Sequence, residues 1–100
     1  MHIISLSKLK QFWQKHPNSE PNMRSWFKLT TEHQWRNFND VRVCFPSADL
    51  VGNLTVFNIG GNEYRLITYI DYKYNKVFIR DVLSHSEYNK NKWKKDNWYK

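Results

Sequence analysis

The sequence predicts an α+β fold, with N-terminal helices packed on a small antiparallel β-sheet. Two observations carry this. Apolar residues recur at helical spacing between Leu9 and Thr30. From Leu54 the pattern becomes extended and β-rich, and is punctuated by Gly60-Gly61-Asn62 and Lys73-Tyr74-Asn75. The 100 residues make one domain with a modest core, and aromatic side chains, 17% of the chain, can supply much of it.

Residues 3–5 are apolar and suit a short edge strand. Ser7 is placed to cap a first helix, with Leu9, Phe12 and Trp13 as its apolar stripe. His16-Pro17 ends that helix, because the residue before proline disfavours helical backbone angles. A second helix starts at Ser19-Glu20-Pro21-Asn22, and Met23, Trp26, Phe27 and Thr30 line its buried face. The short link between the two suggests a helical hairpin. Thr31 to Gln34 has capping-box spacing, so a short turn is expected at Glu32. Within residues 37–50, Asn39-Asp40 suggests a cap for a short helix over Val41–Phe45, stopped by Pro46.

Strands follow at Leu54–Ile59, Glu63–Tyr72 and Lys76–Leu83, as an antiparallel meander. The middle one is apolar on both faces, with Tyr64, Leu66 and Ile70 against Ile67 and Tyr69, so it belongs at the centre. Ser84 or Ser86 can cap one further helical turn reaching Tyr88. Residues 89–100 form a basic tail in which Trp93, Trp98 and Tyr99 alternate with lysines.

The formal charge of +7 and a pI of about 9.6 favour an anionic partner, nucleic acid above an acidic protein or a membrane surface. No apolar run approaches the roughly 20 residues needed to span a bilayer. The first residues lack the basic-then-apolar pattern of an export signal, and the single cysteine, Cys44, offers no internal disulfide. These features fit a cytoplasmic protein. The scattered histidines have no metal-ligand spacing, so no metal or other cofactor is expected.

Few residues invite chemistry. His85 stands where the last strand ends, and an imidazole exchanges protons near neutral pH; it equally suits a surface turn. Arg65 and Arg80 each interrupt an apolar strand, where a guanidinium needs solvent or an anion, and its planar fork suits phosphate oxygens. Tyr88, three residues after His85, shares its face if the turn is helical. Lys90, Lys92, Lys94 and Lys95 read as a nucleic-acid arm or as solvating charge.

The run Asn58-x-Gly60-Gly61-Asn62-x-Tyr64-Arg65-Leu66-Ile67, then Val77-Phe78-Ile79-Arg80, then His85-x-Glu87-Tyr88, resembles the HigB toxin family of bacterial type II toxin–antitoxin modules. The Leu9/Phe12/Trp13 helix, Trp26, Trp35 and Ser47-Ala48-Asp49 before Val51-Gly52-Asn53 extend the similarity over roughly residues 1–90. The resemblance implies a RelE/ParE-like fold and a metal-independent endoribonuclease that cleaves mRNA, typically on the translating ribosome. It also implies a helix-turn-helix antitoxin partner, with operator DNA reached only through the toxin–antitoxin complex. Arg65 and Arg80 would stabilise charge, His85 would act as an acid and Tyr88 would position the RNA. Tyr64 and the tail lysines would be RNA contacts. Two other readings use the same residues: a non-catalytic RNA-binding module, and a toxin that poisons a protein target.

Overall fold

Helix and strand patterning divides the chain near residue 49, with the three longer helices before it and four of the five described strands after. The computed structural model describes residues 1–61 and 63–100. Strand β1 (His2–Ile4) leads into helix α1 (Leu6–Lys15), a 3-10 turn (Pro17–Ser19), helix α2 (Glu20–Glu32) and helix α3 (Phe38–Cys44). Strands β2 (Asp49–Val51), β3 (Leu54–Ile59), β4 (Tyr64–Asp71) and β5 (Lys76–Ser84) follow, then the short helix α4 (His85–Asn89) and a 3-10 turn (Lys92–Lys95). The sheet order is β1-β5-β4-β3-β2, with β4 central as its two apolar faces require.

The sheet is mixed, since β1 pairs parallel to β5, with Ile3 beside Val77. The other pairs are antiparallel, as the meander predicts. Strand β2 had no sequence signal; its three residues pair with Leu54–Val56 across a tight turn. In that turn Gly52 adopts φ +59, and an added Cβ would lie 2.5 Å from the Lys100 carbonyl oxygen. In the next hairpin Gly60 and Gly61 both have positive φ, as that turn demands. Asn62, expected to complete it, lies outside the described residues.

Local helix signals diverge from expectation at three points. Helix α1 begins before Ser7, because Ser5 takes a left-handed conformation (φ 71) that bends the chain out of β1 two residues earlier. No turn starts at Glu32; Thr31 bonds back to the Lys28 carbonyl inside α2, and His33 ends that helix in extended geometry. The cap of α3 is Asn37, whose Oδ1 accepts from the Asp40 amide, while the Asp40 carboxylate is taken by Arg36.

The two faces of the sheet are covered differently. The helices bury Leu9, Trp13, Met23, Trp26, Trp35 and Val41 against Phe57, Leu66, Ile70 and Ile79. The opposite face carries a smaller cluster of Leu54, Val56, Ile67 and Trp93, flanked by Tyr69, Leu83, Tyr88, Trp98 and Tyr99. Its cover is the C-terminal segment, which folds back on the sheet with Trp93 only 5% exposed. No helix among the described residues is long and apolar enough to cross a membrane.

Candidate active site

Side chains alternate along β4, so Tyr64 and Leu66 enter the helix-side core while Arg65, Ile67 and Tyr69 point to the other face. Arg65 is 7% exposed. A guanidinium buried this deeply needs acceptors around it. One nitrogen donates to the Tyr64 carbonyl oxygen at 3.1 Å and Nη2 donates to His85 Nδ1 at 3.1 Å. The Tyr88 ring lies 5.4 Å from the guanidinium carbon, in cation–π range.

His85 reaches Arg65 because β5 ends opposite the start of β4, where Ser84 pairs with Tyr64. Ser84 then caps α4 through a full capping box with Glu87. The His85 amide donates to the Glu63 carbonyl oxygen at 2.9 Å, tying α4 to the edge of β4. The capping box engages the Glu87 carboxylate. The Ser84 hydroxyl, and then the Ser84 amide, hold that carboxyl below the ordinary range.

The His85 tautomer follows from these contacts. A guanidinium only donates, so Nδ1 must accept, and the ring proton resides on Nε2. Nε2 lies 3.1 Å from the side-chain amide of Asn89, one helical turn on. The atom at that distance is Asn89 Nδ2, a donor, so the amide must turn over to present Oδ1 as the acceptor for that proton. Asn89 thus holds the ring from below while Arg65 fixes its far side.

Beside this cluster is a cleft of about 340 Å³ lined by Arg42, Ser47, Asp49, Asn58, Arg65 and Tyr88, among others. Asn58 pairs with Arg65 across β3 and β4. The strand position of Asn58 places it in the cleft wall. Burial, and then the charge of Asp49, raise the Tyr88 phenol above its ordinary range, with Arg65 opposing. Asn89 and Asp49 were also missed as neighbours of the site. The i, i+4 spacing of His85 and Asn89 was a readable signal, whereas the approach of Asp49 depends on β2 pairing.

The remaining expected residues lie elsewhere. Arg80 is the extra residue of a β-bulge, where Ile67 faces Asp81 but Thr68 faces Ile79. It reaches the same sheet face as Arg65 but stands roughly 10 Å further along the strand direction. Its fork binds Asp96 at 2.9 and 2.8 Å and lies over the Trp98 ring at 4.1 Å. Arg80 also borders a second cleft, with Lys8, Gln11, Phe12, Lys15 and Asp81. Tyr64 is buried on the helix side, where its hydroxyl donates to Asn18 Oδ1 at 2.9 Å and its ring packs edge-on against Phe12. The structure therefore joins Arg65, His85 and Tyr88 and leaves Arg80 and Tyr64 outside that group. Lys90, Lys92, Lys94 and Lys95 are exposed, and the first two border a third cleft, with Asp81, Leu83, Glu87 and Trp93.

Comparison with known proteins shows the family. The chain is 29% identical over 93 residues to the mRNA interferase HigB of Escherichia coli O6:H1 (strain CFT073), covering 90% of each chain. It is 30% identical over 91 residues, 88% of each, to the mRNA interferase toxin HigB of Escherichia coli K12, with the same values for the mRNA interferase HigB of Shigella flexneri. Residues 19–91, which contain Arg65, His85, Tyr88 and Asn89, match the sequence model of the HigB toxin family. The chain belongs to that family, the RelE-like toxic component of a toxin–antitoxin system.

Proposed function

We propose that this toxin is an endoribonuclease that cuts mRNA at the cleft bordered by Arg65 and Tyr88, with His85 as its proton-transfer group. The observation that carries the reading is the Arg65–His85 hydrogen bond beneath the Tyr88 ring. A guanidinium fork and an imidazole meet there, beside the cleft of about 340 Å³, which supports reading them as a phosphate-binding group and a proton donor. The relatives named mRNA interferases supply the substrate class.

RNA carries its own nucleophile. The 2′-hydroxyl attacks the adjacent phosphorus, the bond to the 5′-oxygen breaks, and the products are a 2′,3′-cyclic phosphate and a 5′-hydroxyl. No metal or cofactor takes part in this scheme. Arg65 binds the non-bridging oxygens and stabilises the phosphorane as its charge concentrates. When a phosphate oxygen enters between Arg65 and His85, Nδ1 is released from Arg65 and takes a proton from solvent, so the oxygen accepts from the guanidinium and from the imidazolium. His85 then gives its Nε2 proton to the departing 5′-oxygen. Asp49, the carboxylate in the cleft wall, is the group available to take the 2′-proton. Tyr88 stacks on or bonds to the nucleotide, while Arg80, paired with Asp96, stays outside the reacting centre. Lys90, Lys92, Lys94 and Lys95 attract the RNA backbone in a salt-dependent manner.

Toxicity follows from loss of translated message. We assign the protein to the cytoplasm and its substrate to mRNA engaged by the ribosome. The antitoxin partner is a helix-turn-helix protein, through which alone the complex reaches operator DNA.

Inducible expression of the parent and of His85→Ala, with growth and mRNA ends read together, tests the reading. The parent is expected to arrest growth and create new 5′-hydroxyl ends within coding sequence. His85→Ala should lower cleavage by about 10²–10⁴-fold while folding survives, since His85 itself is exposed. Growth arrest with intact mRNA would instead indicate a protein target. RNA bound but uncut would indicate a binding module.

A further inference from the structure

Residues beyond 91 lie outside the family match, yet one of them is built into the site. Trp93 is 5% exposed and stacks on Tyr88 with ring centroids 5.3 Å apart and planes 11° from parallel. Its Nε1 donates to the Tyr88 backbone carbonyl oxygen at 3.2 Å. Both the ring and the main chain of Tyr88 are therefore held by one side chain. Tyr88 in turn covers the Arg65 guanidinium, and Arg65 fixes the His85 tautomer. A continuous line of contact runs from the C-terminal segment through Tyr88 and Arg65 to the imidazole.

We propose that Trp93 is a positioning residue for the nuclease site, acting on Arg65 and His85 through the plane of the Tyr88 ring. This rests on the function proposed above. Several features hold Trp93 in place. Tyr99 packs edge-on against it at 5.7 Å. Asp96 is bound by Arg80, and the Lys100 amide donates to Asn53 Oδ1 at 2.8 Å. The C-terminal segment is thus a strap fastened at Arg80 and at the β2–β3 turn, with Trp93 pressed between those fastenings and the site. Lys92 and Lys94 flank Trp93 in the strap and are exposed, so the residue that orients the site also sets where these positive charges stand.

A buried indole has a packing role as well, and the test must separate packing from orientation. Trp93→Leu keeps an apolar side chain against Leu54, Val56 and Ile67 but has no ring plane; Trp93→Phe keeps the plane. Trp93→Leu is expected to lower kcat for cleavage of a model mRNA between about 10- and 100-fold with little change in KM, as misplacement of a reacting group does. Trp93→Phe should recover most of that loss. In a Tyr88→Ala background, Trp93→Leu should change kcat less than about twofold, because the shared route is already broken. Equal losses for Leu and Phe, or the same loss with and without Tyr88, would overturn the proposal. If the parent cuts no RNA, the nuclease reading fails instead, and the positioning claim is read from imidazole nitrogen NMR. Trp93→Leu should then shift the His85 Nδ1 resonance away from its hydrogen-bonded position, and an unmoved resonance in the folded variant would refute it.

Discussion

The two faces of the β-sheet are built from the same strands but do different work. On the helix side, Trp26 packs edge-on against Phe57 and Trp35 stacks on it, and Leu9, Met23 and Leu66 are fully buried. Polar groups there are few and serve the fold, such as the Tyr64 hydroxyl bonded to Asn18. On the other side the apolar cluster is small, and charged and aromatic groups alternate: Arg65 under Tyr88, Tyr88 on Trp93, Arg80 on Trp98. The contrast teaches that a small toxin can place its stability in one layer and keep a buried cation in the other. A guanidinium in the helix-side core would lack acceptors; under a ring and beside an imidazole it is satisfied and still able to meet a phosphate.

This division can be tested by perturbing each face in turn. The largest effect on stability should come from the helix side. Trp26→Ala removes a fully buried indole and should cost about 3–5 kcal/mol, measured by denaturant unfolding. A loss below 1 kcal/mol would mean the helix layer is not the main core. On the site face, Arg65→Lys keeps the charge but loses the fork. It should reduce cleavage by about 10²–10³-fold with a smaller loss in stability, and comparable losses in both would erase the distinction.

A smaller effect belongs to the strap. The hydrogen bonds from Arg80 hold the Asp96 carboxyl below its ordinary range. A carboxyl depressed on folding stabilises the fold above its unfolded value, near pH ~3.9, and that contribution disappears as pH falls through the depressed folded value. Asp96→Asn should therefore destabilise by about 1 kcal/mol at neutral pH. The gap from the parent should close in acid. A gap that persists at low pH would detach Asp96 from the ion pair. The smallest effect concerns Asp81, whose carboxyl is raised by burial. Here the sign reverses. The folded state holds the proton more tightly, so stability falls as pH rises from the unfolded value through the raised one. Asp81→Asn, which retains the oxygen accepting from the Val82 amide, should stabilise the fold slightly at pH 7, by under about 1 kcal/mol in denaturant unfolding, and give nothing near pH ~3.

Elements with strong local periodicity were legible in the chain. Leu54–Ile59 is found with the expected bounds, and β4 and β5 lie within one residue of theirs, because β-branched and aromatic runs bounded by turn residues mark a strand even where both faces are buried. The central place of β4 followed from its two apolar faces. Weak caps misled at Ser7 and Glu32, since a serine or threonine close to a helix end has several backbone partners open to it. The basic segment after residue 89 carried two opposite readings. Its tryptophans pack on apolar sheet surface that no helix covers, while its lysines stay exposed.

The chain alone determined that helices precede a sheet, that β4 runs through the centre, and that Arg65 and His85 are set near the ends of neighbouring strands, for these depend on spacing along the backbone. Tertiary structure decided which side chains meet. The β4–β5 register sets Arg65 against His85, a bulge carries Arg80 to Asp96, and the alternation of β4 sends Tyr64 into the opposite core. The physical reason is that one residue of strand register reverses every side chain across a sheet, and register is fixed only when both layers pack.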